Sequence, residues 1–331
     1  MDDKNMGKKG KGERGKRGWP LLCRLSFSPH FILGIIVPLL ITAKAFSATF
    51  TDEAGRNLEL PSTPKRMIAT APSVTEILFA LGLGDRVVGV SSYCNYPAEA
   101  LHKEKIGGYI NPSLEKIVEL RPDLVMGTAD GDLKAFMNKV TGLGIPVYVA
   151  NPKTVADVLH SIRKIGEVTG ATDAAARLTS SMQKRIDTVK QKVAGRSPPR
   201  VLHILSYDPL ISSAGGSFVD DLIRIAGGTN VAAQARGRHP RLSLEEVIAR
   251  DPEVIILSGM LSQDPLREQR EWWARWKKIS AVGHGRVHVI DADLILRPSP
   301  RIVDGLEEMA RVIHPEAFST GSKGLRVQGT K

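Results

Sequence analysis

Along most of the chain, short apolar runs alternate with amphipathic stretches. Runs rich in β-branched residues at 66–70, 86–90, 123–127, 145–149, 200–205, 253–257 and 286–290 predict strands. Between them, 74–82, 113–120, 132–142, 218–226 and 243–250 carry apolar residues at helical spacing. Strand–helix alternation predicts an α/β fold with parallel sheets flanked by helices. Ahead of it, Thr51 to Pro61 alternates loosely around a turn and predicts a short hairpin. One stretch breaks the rhythm: between Thr154 and Ala194 no strand is predicted, and Gly170 is the one clear interruption. Residues 173–194 open on Asp173 as an N-cap and hold strong helix formers. At 1.5 Å per residue that helix runs ~33 Å, about the width of a small domain. Gly195-Arg-Ser-Pro-Pro199 stops it.

The two sides of this long helix resemble each other. Leu114 to Met126 aligns with Leu244 to Ile256, each a short helix, a proline break and an apolar strand. Gly142 to Val149 pairs with Gly283 to Ile290, and the helix at 76–82 with that at 221–227, in the same order. The pattern predicts two Rossmann-like lobes joined by one long linker helix. The expected divisions are a leader at 1–48, an N-terminal lobe at 49–170, the linker at 171–196, a C-terminal lobe at 197–318 and a disordered tail at 319–331. Ligand sites favour domain interfaces and the carboxyl ends of parallel strands, so binding residues are sought in the post-strand loops facing the cleft.

Charge changes the picture little once it is located. The chain of 331 residues carries a net charge of +11. Residues 1–48 hold nine Lys/Arg and three Asp/Glu, so most of the excess sits there and nucleic acid is not an expected partner. That segment has a basic stretch from Lys4 to Arg24, an apolar run from Phe31 to Ala43, and small residues at Ala43, Ala45, Ser47 and Ala48. This is the order of a cleaved secretory signal, and it predicts a periplasmic protein. The run of 13 residues is short of the ~20 that span a bilayer. With the leader removed, Cys94 is alone without Cys23 and reads as a small buried hydrophobe.

Catalytic constellations are missing. No P-loop, His-Glu-x-x-His, G-x-S-x-G or paired C-x-x-C is present. Gly82-Leu-Gly84 follows a helix rather than a strand and reads as a helix C-cap. His284 and His288 straddle a turn and a strand. Trp272 and Trp276 share a helix face and are expected to pack onto the sheet. The expectation is a binding protein, not an enzyme, with no intrinsic cofactor or metal.

Several segments then carry a resemblance: Thr51-Asp-Glu-Ala-Gly-Arg, Pro64-Lys-Arg-Met-Ile-Ala, Ala71-Pro-Ser-Val-Thr-Glu-Ile-Leu, Leu120-Arg-Pro-Asp-Leu-Val and Ala281-Val-Gly-His-Gly-Arg-Val-His-Val. In this order the chain resembles the periplasmic binding proteins for cobalamin, haem and ferric siderophores that feed ABC importers. The resemblance covers about residues 50–315 and implies the class III periplasmic binding protein architecture. Val90-Ser-Ser-Tyr-Cys-Asn-Tyr-Pro97 and Ile106-Gly-Gly-Tyr-Ile-Asn-Pro-Ser-Leu114 look most like the cobalamin-binding branch.

Carried over by position, the resemblance implies that Tyr93 and Tyr109 contact a corrinoid and that Asp293 and Arg297 are polar groups near it. His239 falls where that branch can carry a tryptophan. Thr128 and Leu294 stand where aromatics occur in the best-known members, which leaves haem and ferric siderophores as alternative ligands. Tyr96 and Tyr207 complete the candidate set. A flat macrocycle suits aromatic walls, which bury apolar faces at low entropic cost. His239, beside Arg236, Arg238 and Arg241, reads equally as a metal ligand, a carboxylate-attracting group or part of a solvated loop. The resemblance further implies docking on the permease subunits through one glutamate per lobe, at Glu115 and Glu245. Both also read as first-turn glutamates favoured by the helix dipole. A monomer is expected.

Overall fold

A hairpin opens the described chain, with β1 (Ala48–Thr51) antiparallel to β2 (Asn57–Leu60). Asp52 at its turn accepts the Val149 amide at 3.2 Å, and Glu53 accepts the Tyr148 hydroxyl at 3.1 Å. The hairpin is thereby pinned to the edge of the first sheet. The computed structural model describes residues 48–109, 111–129, 133–258 and 263–319, all within one unit, Ala45–Lys331. Apart from Ala48, the expected leader lies outside the described residues, as does the expected tail beyond Ser319.

The first lobe holds β3 (Met67–Ala69), α1 (Pro72–Ala80), β4 (Val87–Val90), β5 (Glu104–Lys105), α2 (Leu114–Glu119), β6 (Leu124–Thr128), α3 (Leu133–Gly142) and β7 (Val147–Ala150). Its strands are parallel in the order β5-β4-β3-β6-β7. The chain then runs through α4 (Val155–Thr169) and α5 (Thr172–Val193). The second lobe holds β8 (Arg200–Tyr207), β9 (Leu210–Ser212), α6 (Phe218–Ile225), β10 (Thr229–Asn230), α7 (Leu244–Arg250), β11 (Val254–Leu257), α8 (Gln263–Trp273), α9 (Ser280–Gly283), β12 (Val287–Val289), α10 (Ala292–Ile295), α11 (Ile302–Ile313) and α12 (Pro315–Phe318). Its parallel order is β10-β8-β11-β12, with β9 antiparallel on β8. Every residue of β6, β7 and β11 is buried, as a sheet covered on both faces requires. The predicted strands and helices are all present, with ends moved by a residue or two.

The long helix is α5, but its start differs from the reading above. Ala171 is the N-cap and supplies no side-chain bond, while Asp173 falls inside the first turn. Gly170 has already closed α4 in the left-handed conformation (φ 72°), so the chain turns directly into α5 without needing Asp173 as a cap. Ala175, Thr179, Met182, Ile186, Val189 and Val193 form its buried stripe. Ala175, Met182, Ile186 and Val189 of that stripe belong to one apolar cluster that includes Leu78 and Met126 of the first lobe and Leu222 and Leu306 of the second. Each lobe also has a separate outer core, around Ile117 and Met137 in the first and Leu257 and Trp273 in the second. Arg185 on α5 pairs with Asp304 at 2.6 Å and Glu307 at 2.8 Å on α11.

The tryptophans correct another expectation. Helix α8 ends at Trp273, so Trp272 and Trp276 share no continuous helical face. Trp273 is the fully buried one; the Trp272 ring lies 4.9 Å from that of Trp273 and 5.9 Å from that of Trp276, and both Trp272 and Trp276 pack on the core under β8 and β11, as expected.

The internal repeat extends to single residues. Among the described residues, the two non-glycine positions at positive φ are Arg121 (46°) and Asp251 (40°), equivalent in the two repeats and each followed by proline. Asp123 accepts the amides of Lys65 and Arg66 at 2.7 and 3.0 Å, and Glu253 accepts that of Arg200 at 2.9 Å. Ile117 and Val247 are both fully buried one turn into α2 and α7.

Candidate functional site

In both sheets the strand order reverses beside the first strand of the lobe, between β3 and β6 and between β8 and β11. Crevices of α/β folds lie above such reversals, at the carboxyl ends of the strands. A cavity of about 460 Å³ opens there between the lobes, within the range of ~300–1,000 Å³ usual for small-molecule sites. The first lobe lines it with Ala71 to Ser73 after β3, Tyr93 after β4, Tyr109 and Asn111 after β5, and Thr128 at the end of β6. The second lobe contributes Asp293, Leu296, Arg297 and Pro298 from α10 and the turn after it.

Local sequence explains how the aromatics arrive. After β5, Gly107 turns the chain at φ 103°, and a Cβ on Gly108 would sit 2.4 Å from Asn111 Oδ1. The positive φ at Gly107 favours glycine, a side chain at Gly108 would displace that of Asn111, and the tight loop the two allow presents Tyr109 and Asn111. The Tyr109 and Thr128 hydroxyls lie 2.7 Å apart, so Thr128 supports the aromatic wall from a position where an aromatic was the expected residue. After β4, Cys94 lies buried between the hydroxyls of Ser91 and Thr75, at 3.2 and 3.1 Å, tacking the Tyr93–Tyr96 loop onto α1. Cys94 is buried as expected, but it is also hydrogen-bonded. Tyr93 stays 60% exposed, leaving its face open to the cleft.

The polar wall is a network across the lobes. Arg297 pairs with Asp293 at 2.8 Å and donates to Asn95 Oδ1 at 2.6 Å and Glu76 Oε1 at 3.1 Å. Asn95 donates to Asp293 at 3.1 Å. Glu76 also accepts two bonds from Arg301, at 2.7 and 2.9 Å, and one from the Ser299 hydroxyl at 2.6 Å. Hydrogen bonding to Glu76 raises the Arg301 pKa further. The Arg301 guanidinium sits 4.0 Å over the Tyr96 ring.

Sequence reading named Asp293 and Arg297 but passed over Glu76, Asn95, Ser299 and Arg301. A signal for Glu76 was available. It is the one acid in α1, whose residues from Ser73 to Leu78 are all buried, and such a carboxylate needs a cation.

Three candidates lie apart from this cavity, and the first, Tyr96, lines a neighbouring hollow with Glu76, Phe79 and Lys103. Tyr207 donates to Glu268 at 3.2 Å and packs 6.2 Å from Trp272, within the aromatic cluster of the second lobe. His239 neighbours Arg238, which with Lys153 lines a smaller pocket of about 80 Å³ continuing from the cavity past Thr128, Leu296 and Pro298. Burial, then the Arg238 charge, lowers the His239 pKa and leaves the ring neutral near neutrality. Beneath this segment, burial and then the nearby His239 push His203 down to about 3, and both its ring nitrogens meet serine hydroxyls, of Ser213 and Ser258. Glu115 and Glu245 are both exposed in the first turns of α2 and α7, behind the N-caps Ser113 and Ser243. Among the described residues no group of three or more His, Cys, Asp or Glu is arranged to hold a metal ion, and no helix is long and apolar enough to cross a membrane.

A two-lobed α/β chain with an aromatic and charged cleft can now be set against known proteins. The profile of the periplasmic binding protein family matches residues 67–294. This chain belongs to the periplasmic binding protein family. It is 28% identical over 270 residues to the vitamin B12-binding protein of Vibrio cholerae, covering 82% of this chain and 96% of that one. The crystal structure of the periplasmic vitamin B12 binding protein of Vibrio cholerae superposes with a TM-score of 0.70, covering 78% of this chain and 99% of that chain. An uncharacterized ABC transporter substrate-binding lipoprotein of Bacillus subtilis is 31% identical over 83% of this chain and 88% of its own length. A periplasmic heme-binding protein of Roseiflexus is 25% identical, with a TM-score of 0.68 over 76% of this chain and 99% of that one. Periplasmic binding proteins are substrate-binding proteins rather than enzymes, and the architecture described above is that of their class III fold.

Proposed function

We propose that this chain is the substrate-binding component of an ABC importer, and that it captures a corrinoid in the inter-lobe cleft and delivers it to a membrane permease. The observation that carries the reading is the asymmetric cavity, with Tyr93 and Tyr109 on one wall and Asp293 and Arg297 on the other. The aromatic wall suits the apolar face of a corrin, and the paired charges suit its amide substituents. The likeness to vitamin B12-binding proteins over four-fifths of the chain supports the same ligand class. Export by removal of the leader at 1–48 fits this role, with lobes bounded at 49–170 and 197–318.

Docking through Glu115 and Glu245 belongs to the proposal. The two glutamates stand at equivalent places in a quasi-two-fold molecule, which suits a two-fold partner. Beside them, Val118 and Ile248 are also equivalent, and they are 47% and 40% exposed. Each lobe thus offers the same acid-plus-apolar surface.

A second reading, haem, is favoured by one observation: Tyr93 stands exposed at the cavity, where its phenolate can serve as an axial ligand. Titration of the purified protein with cyanocobalamin and, separately, with hemin tests both. Saturable one-to-one binding of cyanocobalamin alone supports the first reading. Hemin binding with a shifted Soret band and no cobalamin binding overturns it in favour of the second.

A further inference from the structure

Glu76 is absent from the lining of the main cavity, yet its side chain is 2% exposed and holds four hydrogen bonds from three side chains of the other lobe. Two of those side chains pass the contact onward. Arg297 carries it to Asp293 and to Asn95, and Arg301 carries it to the ring of Tyr96. The circuit leaves the first lobe at Glu76 and returns to it at Asn95 and Tyr96, in the loop after β4.

The partners are not equivalent. Asp293 lies four residues from Arg297 on the same lobe, so that pair fixes the side chain but not one lobe against the other. Among the bonds given to Arg297, only those to Glu76 and Asn95 cross the cleft, and Asn95 is exposed while Glu76 is buried. A buried carboxylate bonded to two guanidinium groups is the strongest of these ties. A second, shallower hollow of about 490 Å³ is lined by Glu76, Phe79, Tyr96 and Lys103, so the network forms a wall between that hollow and the cleft.

We propose that Glu76 is a positioning residue for the cleft: by anchoring Arg297 and Arg301 it holds the Tyr93–Tyr96 loop against the second lobe. The aromatic and charged walls therefore face each other before a ligand arrives. The proposal concerns the ligand-free protein and does not depend on which ligand the cleft takes.

Cys94 supplies an internal reporter, because it lies 1% exposed within the same loop, next to Asn95. The full chain is treated with a maleimide well below its melting midpoint, and label on the peptide carrying Cys94 is followed with time. Glu76→Gln is expected to speed that labelling at least tenfold. Glu99→Gln, at an exposed glutamate of the same region outside the network, leaves it within twofold. Arg301→Gln removes two of the four bonds and releases Tyr96, so it carries the same expectation if Glu76→Gln does not fold. In a double variant the two effects are non-additive, because both act through one network. Labelling of Glu76→Gln within twofold of wild type would overturn the proposal. So would a rate that multiplies in the double variant, since that describes general destabilisation.

Discussion

The two lobes share a scaffold down to single backbone angles, yet they supply opposite halves of the cleft. Arg121 and Asp251, the equivalent residues at positive φ, both follow their helices, Asp251 as the C-cap of α7 and Arg121 one residue beyond the C-cap of α2. Above the strands the likeness stops. In the first lobe, short loops after β4 and β5 present Tyr93 and Tyr109. In the second, β8 runs on into the β9 hairpin, Tyr207 turns aside to Trp272, and the cavity receives Asp293 and Arg297 from α10 instead. What repeats is what builds the sheet and what a two-fold partner would read. What differs is what a single asymmetric ligand would read.

The proposed docking residues Glu115 and Glu245 test the repeated half. Reversing charge at both sites, Glu115→Arg with Glu245→Arg, is expected to lower uptake in cells at least a hundredfold while ligand binding by the purified protein stays within twofold. Each single reversal is expected to fall between. Uptake unaffected by the double variant would show that the likeness of the two faces serves the fold alone.

A smaller effect separates the lobes where they look most alike. Asp251 accepts the Ser280 amide and hydroxyl at 2.8 and 2.7 Å and an Arg200 bond at 3.2 Å, and the Ser280 amide in particular holds its pKa low. Arg121 makes no comparable use of its strained angle; its carbonyl accepts from Arg66. Arg121→Gly is expected to stabilise by up to about 1 kcal/mol by removing left-handed strain. Asp251→Gly relieves the same strain but loses three bonds, for a net destabilisation of about 1–2 kcal/mol. Thermal melts of the two variants should move in opposite directions.

The smallest effect is a slope. His203 is neutral in the folded state down to about pH 3 but takes a proton near pH 6.5 when unfolded. Below pH 6.5 the unfolded chain therefore binds one more proton, so stability falls as pH drops from 6.5 towards 3. The limit is about 1.4 kcal/mol per pH unit for this group. His203→Gln should flatten that part of the profile, and an unchanged slope would mean that other groups set it.

Much of the fold was legible because it rests on local patterns. β-branched runs, proline breaks and the two-part repeat located the strands and the helices between them. The strong helix formers between residues 173 and 194 gave away α5. The site was legible where short loops follow strands, as at Tyr93 and Tyr109. It was illegible where a role depends on a distant partner. Glu76 meets Arg297 across 221 positions of sequence, and no local spacing reports that. The shared helix face expected of Trp272 and Trp276 failed for a different reason, since i, i+4 spacing has meaning only while a helix continues, and α8 stops between them.

On the proposed reading, the cleft binds a corrinoid through an aromatic wall from one lobe and a charged wall from the other. Calorimetric titration with cyanocobalamin of the wild-type protein and of the Tyr93→Ala, Tyr109→Ala double variant tests it most directly. One-to-one binding is expected of the wild type and at least a hundredfold weaker binding of the variant, with both proteins equally folded. No binding by the wild type, or equal affinity in the two proteins, would contradict it.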